Sequence, residues 1–207
     1  MTKTASPRRR RPNAFDPVVA ALGAQLCAVT ESRSVRTRHV AALLAYAPQI
    51  ARAGDQMRFE YGHGSTAAWV SEALPASEVG VEDFGDAGGA VIVTNPEIVL
   101  GDFGFRGDRW IFGVGIDAAL GISRGAVHAA SALNKRGLTV ACPNTPMMLT
   151  LTAVMARLGL TAMPTGGQPR VAVGAGDVTG ALDRLGIAAI AQDYLRIRDS
   201  AATKGKS

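Results

Sequence analysis

Apolar residues recur along this chain at two different periods, and the change of period divides it. Val18, Leu22, Leu26 and Val29 fall at helical spacing. They predict an amphipathic helix over about 16–31, with Asp16 as its N-cap and Pro17 at its first position. Val40, Leu43, Leu44 and Ile50 share one face of a second helix, about 37–53, which Gly54 would stop and Pro48 would kink or split. A short third helix is expected over 65–74 around Trp69. After Glu78 the stretch ASEVGVEDFGDAGG is acidic and glycine-rich, and reads as a loop or partial linker. Three β-strands are then expected, AVIVTN (90–95), EIVLGDF (97–103) and DRWIFGVGI (108–116), with turns at Asn95-Pro96 and at GFRG, 104–107.

Beyond this point helices and strands alternate. A helix is predicted over 117–136, a strand at LTVAC (138–142), a helix over 145–158, short strands at LTAM and RVAV, and a last helix over about 177–198. The pattern favours an α+β or α/β fold over a helical bundle, with N-terminal helices followed by a small sheet. Its expected organisation is a disordered basic arm (1–13), a helical segment (14–80), an α/β segment (81–200) continuous with it in one domain, and a tail (201–207). No repeat of 20–50 residues is visible.

Composition narrows the function classes. The 207 residues are 47% hydrophobic and 19% charged, with mean hydropathy +0.14, which excludes a wholly disordered chain. No apolar run approaches the roughly 18 residues of a membrane span, and nothing apolar follows the N-terminal charges as a secretory signal requires. Cys27 and Cys142 alone make neither a disulfide framework nor a four-ligand zinc site. A cytoplasmic protein, or one within an assembled particle, is expected, without a cofactor or resident metal. The net charge of +5 is unevenly spread: residues 1–38 carry eight basic and two acidic side chains, 39–100 two and eight, 101–207 twelve and seven. A basic arm and a basic C-terminal half around an acidic middle point to a polyanionic partner or to self-association into a homo-oligomer. Arg8, Arg9, Arg10 and Arg11 form the densest run.

The segment LGISRGAVHAASALNKRGLTV, 120–140, resembles the turn and recognition helix of helix-turn-helix and winged-helix DNA-binding proteins. The resemblance implies that Gly121 makes the turn and that Ile122 and Val127 pack the helix on its partner. Ser123, Arg124 and His128 would then face the major groove, Lys135 and Arg136 would hold phosphates, and LTV would open a wing. It covers about 25 residues of the chain.

Other candidates carry different chemistry. VAVGAGDVTGAL, 171–182, sets glycines between a strand and a helix, where Gly174, Gly176 and Asp177 could hold an anion on backbone N–H groups. GAGD also resembles the anion-hole motif of ribokinase-like sugar kinases, which would make Asp177 a base, although the spacing to the next Gly-Ala is one residue short. The plain alternative is that Asp177 caps the last helix. In YGHGSTAAW, His63 stands beside Ser65 on an expected turn before a helix. His39, His63 and His128 have no metal-ligand neighbour at i+3 or i+4. Asp102, Asp108 and Asp117 would gather around a metal only if three strand ends converge, and Cys142-Pro143 is either a reactive thiol or a small buried hydrophobe.

The sequence therefore favours a nucleic-acid-binding protein, of DNA or RNA, that uses the arginine arm and the 120–137 segment. This reading favours binding over catalysis, and a regulator or a plasmid or phage factor is its finer form. The alternatives are a self-assembling capsid or coat protein whose arm neutralises packaged nucleic acid, and a small α/β enzyme acting on an anionic substrate at 174–177.

Overall fold

A computed structural model describes residues 13–204, so the arm residues Arg8–Arg11 and the last three residues lie outside the described part. The fold is mixed α+β and is built twice over. After α1 (Asp16–Ala28), the first half runs α2 (Arg33–Ala45), β1 (Gln49–Ala53), β2 (Gln56–Tyr61), α3 (Gly64–Glu72), β3 (Val79–Asp83) and β4 (Gly89–Thr94). A connection follows through α4 (Pro96–Val99) and a short hairpin, β5 (Phe105–Arg106) and β6 (Arg109–Trp110). The second half runs α5 (Ile116–Ala130), β7 (Ser131–Asn134), β8 (Gly137–Ala141), α6 (Thr145–Arg157), β9 (Ala162–Thr165) and β10 (Arg170–Gly174), and α7 (Val178–Arg184) and α8 (Ala189–Lys204) close the chain. The two four-stranded sheets have the same order, β1-β2-β4-β3 and β7-β8-β10-β9, with every pairing antiparallel. The repeat is longer than the 20–50 residues of ordinary tandem arrays, because α2 begins at 33 and α5 at 116.

The two halves meet where α2 crosses α5, and glycine makes the approach possible. A Cβ on Gly121 would lie 2.5 Å from the Val35 carbonyl oxygen, and one on Gly125 would lie 2.3 Å from that of His39 and 2.7 Å from the Ala42 Cβ. Side-chain size sets how near two helix axes come, and α2 answers the glycines with Ala41, Ala42 and Ala45. Each sheet buries one face. In the second half Leu133, Leu138, Val140, Val171 and Val173 point into a core shared with α1, α6 and the C-terminal helices. In the first half Met57, Phe59, Tyr61, Val91 and Val93 do the same over α3.

Several expected elements change. The second helix ends at Ala45, not 53: Pro48 cannot continue it, and the residues beyond form the exposed strand β1, turned at Gly54 (φ +61°). EIVLGDF is no strand. Asn95 adopts a left-handed conformation (φ 52°), Pro96 begins α4, and residues 101–103 form a 3₁₀ turn. DRWIFGVGI keeps only two strand residues because Gly113 and Gly115 have positive φ (+74° and +101°). The expected loop at 79–83 is the edge strand β3. The helix expected over 117–136 stops at Ala130 and the chain enters β7, while the last helix is broken at Gly186 (φ +78°). Phe15, not Asp16, holds the N-cap position of α1.

Candidate functional site

A buried polar chain runs through the junction of the halves. Glu31, in the α1–α2 connection, receives a hydrogen bond from His39 of α2 (Nδ1 to Oε1, 3.0 Å). His39 Nε2 lies 3.2 Å from His128 Nδ1 on α5, and His128 Nε2 lies 3.2 Å from the hydroxyl of Thr66 on α3 and 3.6 Å from Cys27 Sγ on α1. Donor logic fixes the direction. A carboxylate only accepts, so His39 carries its proton on Nδ1 and accepts on Nε2; His128 then donates from Nδ1 and accepts the Thr66 hydroxyl proton on Nε2. Both rings are held neutral. Burial lowers the His39 pKa against the pull of Glu31, and burial with the neighbouring His39 and His63 lowers His128 to about 3. For Glu31, burial opposes ionisation, but hydrogen bonds and charge from His39 and Arg124 outweigh it and hold the carboxyl below its ordinary value.

Arg124 completes this network and so cannot serve as expected. Its guanidinium pairs with Glu31 (2.9 Å) and donates from Nε to the Leu185 carbonyl at the C-terminus of α7 (2.8 Å). There it satisfies an orphan helix carbonyl. Trp69 packs against His39 and His128 (ring centroids 4.7 and 5.5 Å apart) and donates its indole N–H to the Cys27 carbonyl. Ser123, Arg124 and His128 are 0%, 7% and 8% exposed, against the expectation that they face a DNA groove. Nor does Gly121 make a turn: it lies inside a single α5, and the hairpin of β7 and β8 follows directly. The helix is real, but residues 121–128 are buried on every side, with His128 against His39 of α2 and Arg124 against Glu31 of the α1–α2 connection.

The remaining candidates separate. Lys135 and Arg136 are exposed at the tip of the β7–β8 hairpin, with the Arg136 N–H bonded to Asn134 Oδ1. Gly174, Gly176 and Asp177 form an exposed turn before a seven-residue helix; Asp177 occupies the N-cap position, yet its side chain makes no cap hydrogen bond. His63 is the N-cap residue of α3, and Ser65 lies within that helix. Asp102, Asp108 and Asp117 are exposed and do not converge, and Asp108 pairs with Arg52. Burial raises both thiols, Cys27 and Cys142, to about 11, far from the thiolate range of a reactive cysteine.

Two surfaces have no signature in the sequence. The outward face of the second sheet carries Ala132, Thr139, Ala141, Ala172 and Arg170, all partly or fully exposed, as the alternation of buried residues along β8 and β10 requires. Where this face meets α1, α3 and the end of β2 lies a cavity of about 580 Å³, reached by Asn13, His63, Thr66, Tyr61, His128 and Arg170. Asn13 is tied there by its side-chain amide to the Leu133 carbonyl (3.1 Å), so the arginine run directly precedes this face in the chain. A wider groove of about 800 Å³, along Arg33, Arg36 and Asp102, has no buried polar side chain in its lining.

No protein-family model matches the sequence, and no curated protein matches it. Solved structures do share the fold. The full-length DUF199/WhiA from Thermatoga maritima superposes with a TM-score of 0.62 at 12% identity, over 87% of this chain and 66% of that one. The N-terminal LAGLIDADG domain of DUF199/WhiA gives 0.60 at 12% identity, over 86% and 91%. I-DmoI, solved in complex with DNA and Mn, gives 0.52 at 8% identity, over 73% and 96%. The duplicated α+β architecture is thus that of LAGLIDADG-type domains. Among the described residues no group of three or more His, Cys, Asp or Glu side chains is placed to hold a metal ion. Among those residues, too, no helix is long and apolar enough to cross a membrane.

Proposed function

We propose that this protein binds nucleic acid through its second half. The observation that carries the reading is the outward face of the β7–β10 sheet. Beside the exposed Met163 it carries the small side chains Ala132, Thr139, Ala141 and Ala172; it is flanked by Arg170, Lys135 and Arg136, and lies beside the point where the arginine arm joins the fold. Among the described residues none of those three cations has a carboxylate at ion-pair distance. Basic groups without a carboxylate partner beside a sheet face suit phosphate contacts, which give affinity before any sequence preference. The likeness to I-DmoI, solved with DNA, supports the same class of partner.

The test is fluorescence anisotropy with labelled duplex DNA and RNA across a salt series. The triple change Lys135→Glu, Arg136→Glu, Arg170→Glu should weaken binding at least tenfold. It should also flatten the log–log salt slope by roughly 0.9 for each phosphate of duplex DNA that is no longer neutralised. Unchanged affinity and slope would remove this face from the interface.

A further inference from the structure

The cavity beside that face holds a feature that binding of a phosphate backbone leaves unexplained. Tyr61 is 4% exposed, lines the cavity, and its hydroxyl oxygen is buried without a hydrogen-bond partner. A buried hydroxyl left unsatisfied is costly, and most such groups in folded proteins have a partner. Nearby polar atoms belong to Thr66 and His128, the open end of the neutral relay, and carry no formal charge. Val19 and Ala129 supply apolar wall, and Gly23 leaves room over the imidazole, where an added Cβ would still stand 3.8 Å from His128 Cδ2. Charge is confined to the rim, where Arg170 and Asp16 are exposed and of opposite sign, with His63 exposed beside them. Asp16 is already engaged by the Asn13 N–H (2.8 Å).

An uncharged polar end with apolar walls selects a ligand that has apolar faces and a hydrogen-bonding edge. A carboxylate or phosphate would find no buried cation inside, and a sugar would set hydroxyls against alanine and valine. We propose that this cavity receives a nucleobase, whose edge pairs with the Tyr61 hydroxyl and the Thr66–His128 end while its faces lie against the apolar walls. The volume of about 580 Å³ is within the usual range for a small-molecule site. The base can come from a free nucleoside or from an unpaired nucleotide of a polymer lying on the adjacent sheet face. The second source rests on the proposed nucleic-acid function, and the first does not.

The experiment has two arms and one conservative variant. Saturation-transfer NMR with the five common nucleosides tests the free base. Anisotropy with a duplex carrying one bulged nucleotide, against the same duplex with an abasic site at the bulge, tests the tethered base. Binding of at least one nucleoside, or about a tenfold preference for the bulged base, is expected; Tyr61→Phe should reduce either by about tenfold. The variant keeps the ring in its core position and should melt no lower than the parent, because only an unpartnered hydroxyl is removed. Duplex binding with no nucleoside signal and no bulge preference would overturn the inference and leave the proposed function standing. Nucleoside binding without any polymer binding would support the cavity and sink the polymer interface. Base binding that Tyr61→Phe leaves unchanged would also overturn the assignment.

Discussion

The two halves share one strand order and carry opposite charge. From 33 to 100 the chain has five basic and eight acidic residues; from 116 to 187 it has six and three. The difference is visible in how each outward sheet face treats its arginine. In the first half Arg58 is held by Glu60 and by Glu82, both at 2.8 Å, so its charge is consumed within the sheet. On the outward face of the second half Arg170, in β10, meets only the neutral Gln168 (2.9 Å). A duplicated scaffold thus keeps its inward-facing pattern, which the core enforces, while its outward residues diverge. Topology follows from what is buried in both copies, and the binding surface follows from what is exposed in only one.

That contrast can be broken first at the junction. Glu31→Leu would leave the Arg124 guanidinium buried without its carboxylate, and removing one partner of a buried pair typically costs about 3–5 kcal/mol. Urea denaturation should show that loss in a single transition, since Glu31 bonds His39 from one half and Arg124 from the other. Two separate transitions, only one of them shifted, would mean the halves are independent modules. Gly125→Ala comes next. Its Cβ must displace the backbone of α2, and overpacking of this kind costs about 1–3 kcal/mol; a melting temperature equal to the parent's would show that the helix crossing yields easily.

A third expectation concerns acid. The folded pKa values of His39 and His128 lie below the unfolded value of about 6.5, so the unfolded state binds more protons there. Stability should be fully present above about pH 6.5 and fall as the pH drops toward 3, and the lowered Glu31 adds loss in the same direction below its unfolded pKa. His128 alone can contribute up to about 1.4 kcal/mol per pH unit within that window. Thermal melts from pH 7.5 to 4 check the sign, and His128→Gln should shallow the slope. A stability that rises on acidification would contradict the neutral relay.

How much of this is legible in the chain depends on whether a signal is local. Helices with internal periods and punctuation, such as 16–28 and Asn144-capped 145–157, are readable, and so is the run AVIVTN. The hairpin of β1 and β2 is hidden by Ile50, which extends a helical stripe by accident, although Gly54-Asp55 and the alternation of Met57, Phe59 and Tyr61 announce it. In 120–137 the helix is legible but its orientation is not. Residues 121–128 are buried on every side of α5, with Gly121 and Gly125 set against α2, some 80 residues earlier. The polar junction assembles from several separate elements, and no spacing along the chain relates Glu31, His39, Thr66 and His128. A paired stripe of small residues on two distant helices is the one clue that these two histidines meet.

The smallest expected effect approaches the contrast from the other side: adding charge to the first face through Glu60→Lys should raise polymer affinity only a fewfold, because Glu82 still holds Arg58. The most direct measurement is the salt slope of duplex binding for matched reversals on the two faces, with Arg170→Glu, Lys135→Glu and Arg136→Glu in one protein and Arg58→Glu in another. A nucleic-acid interface on the second half requires the slope to flatten in the first protein, by roughly 0.9 for each duplex-DNA phosphate released, and to stay at the parent value in the second. Equal slopes in both, or flattening only with Arg58→Glu, would contradict it.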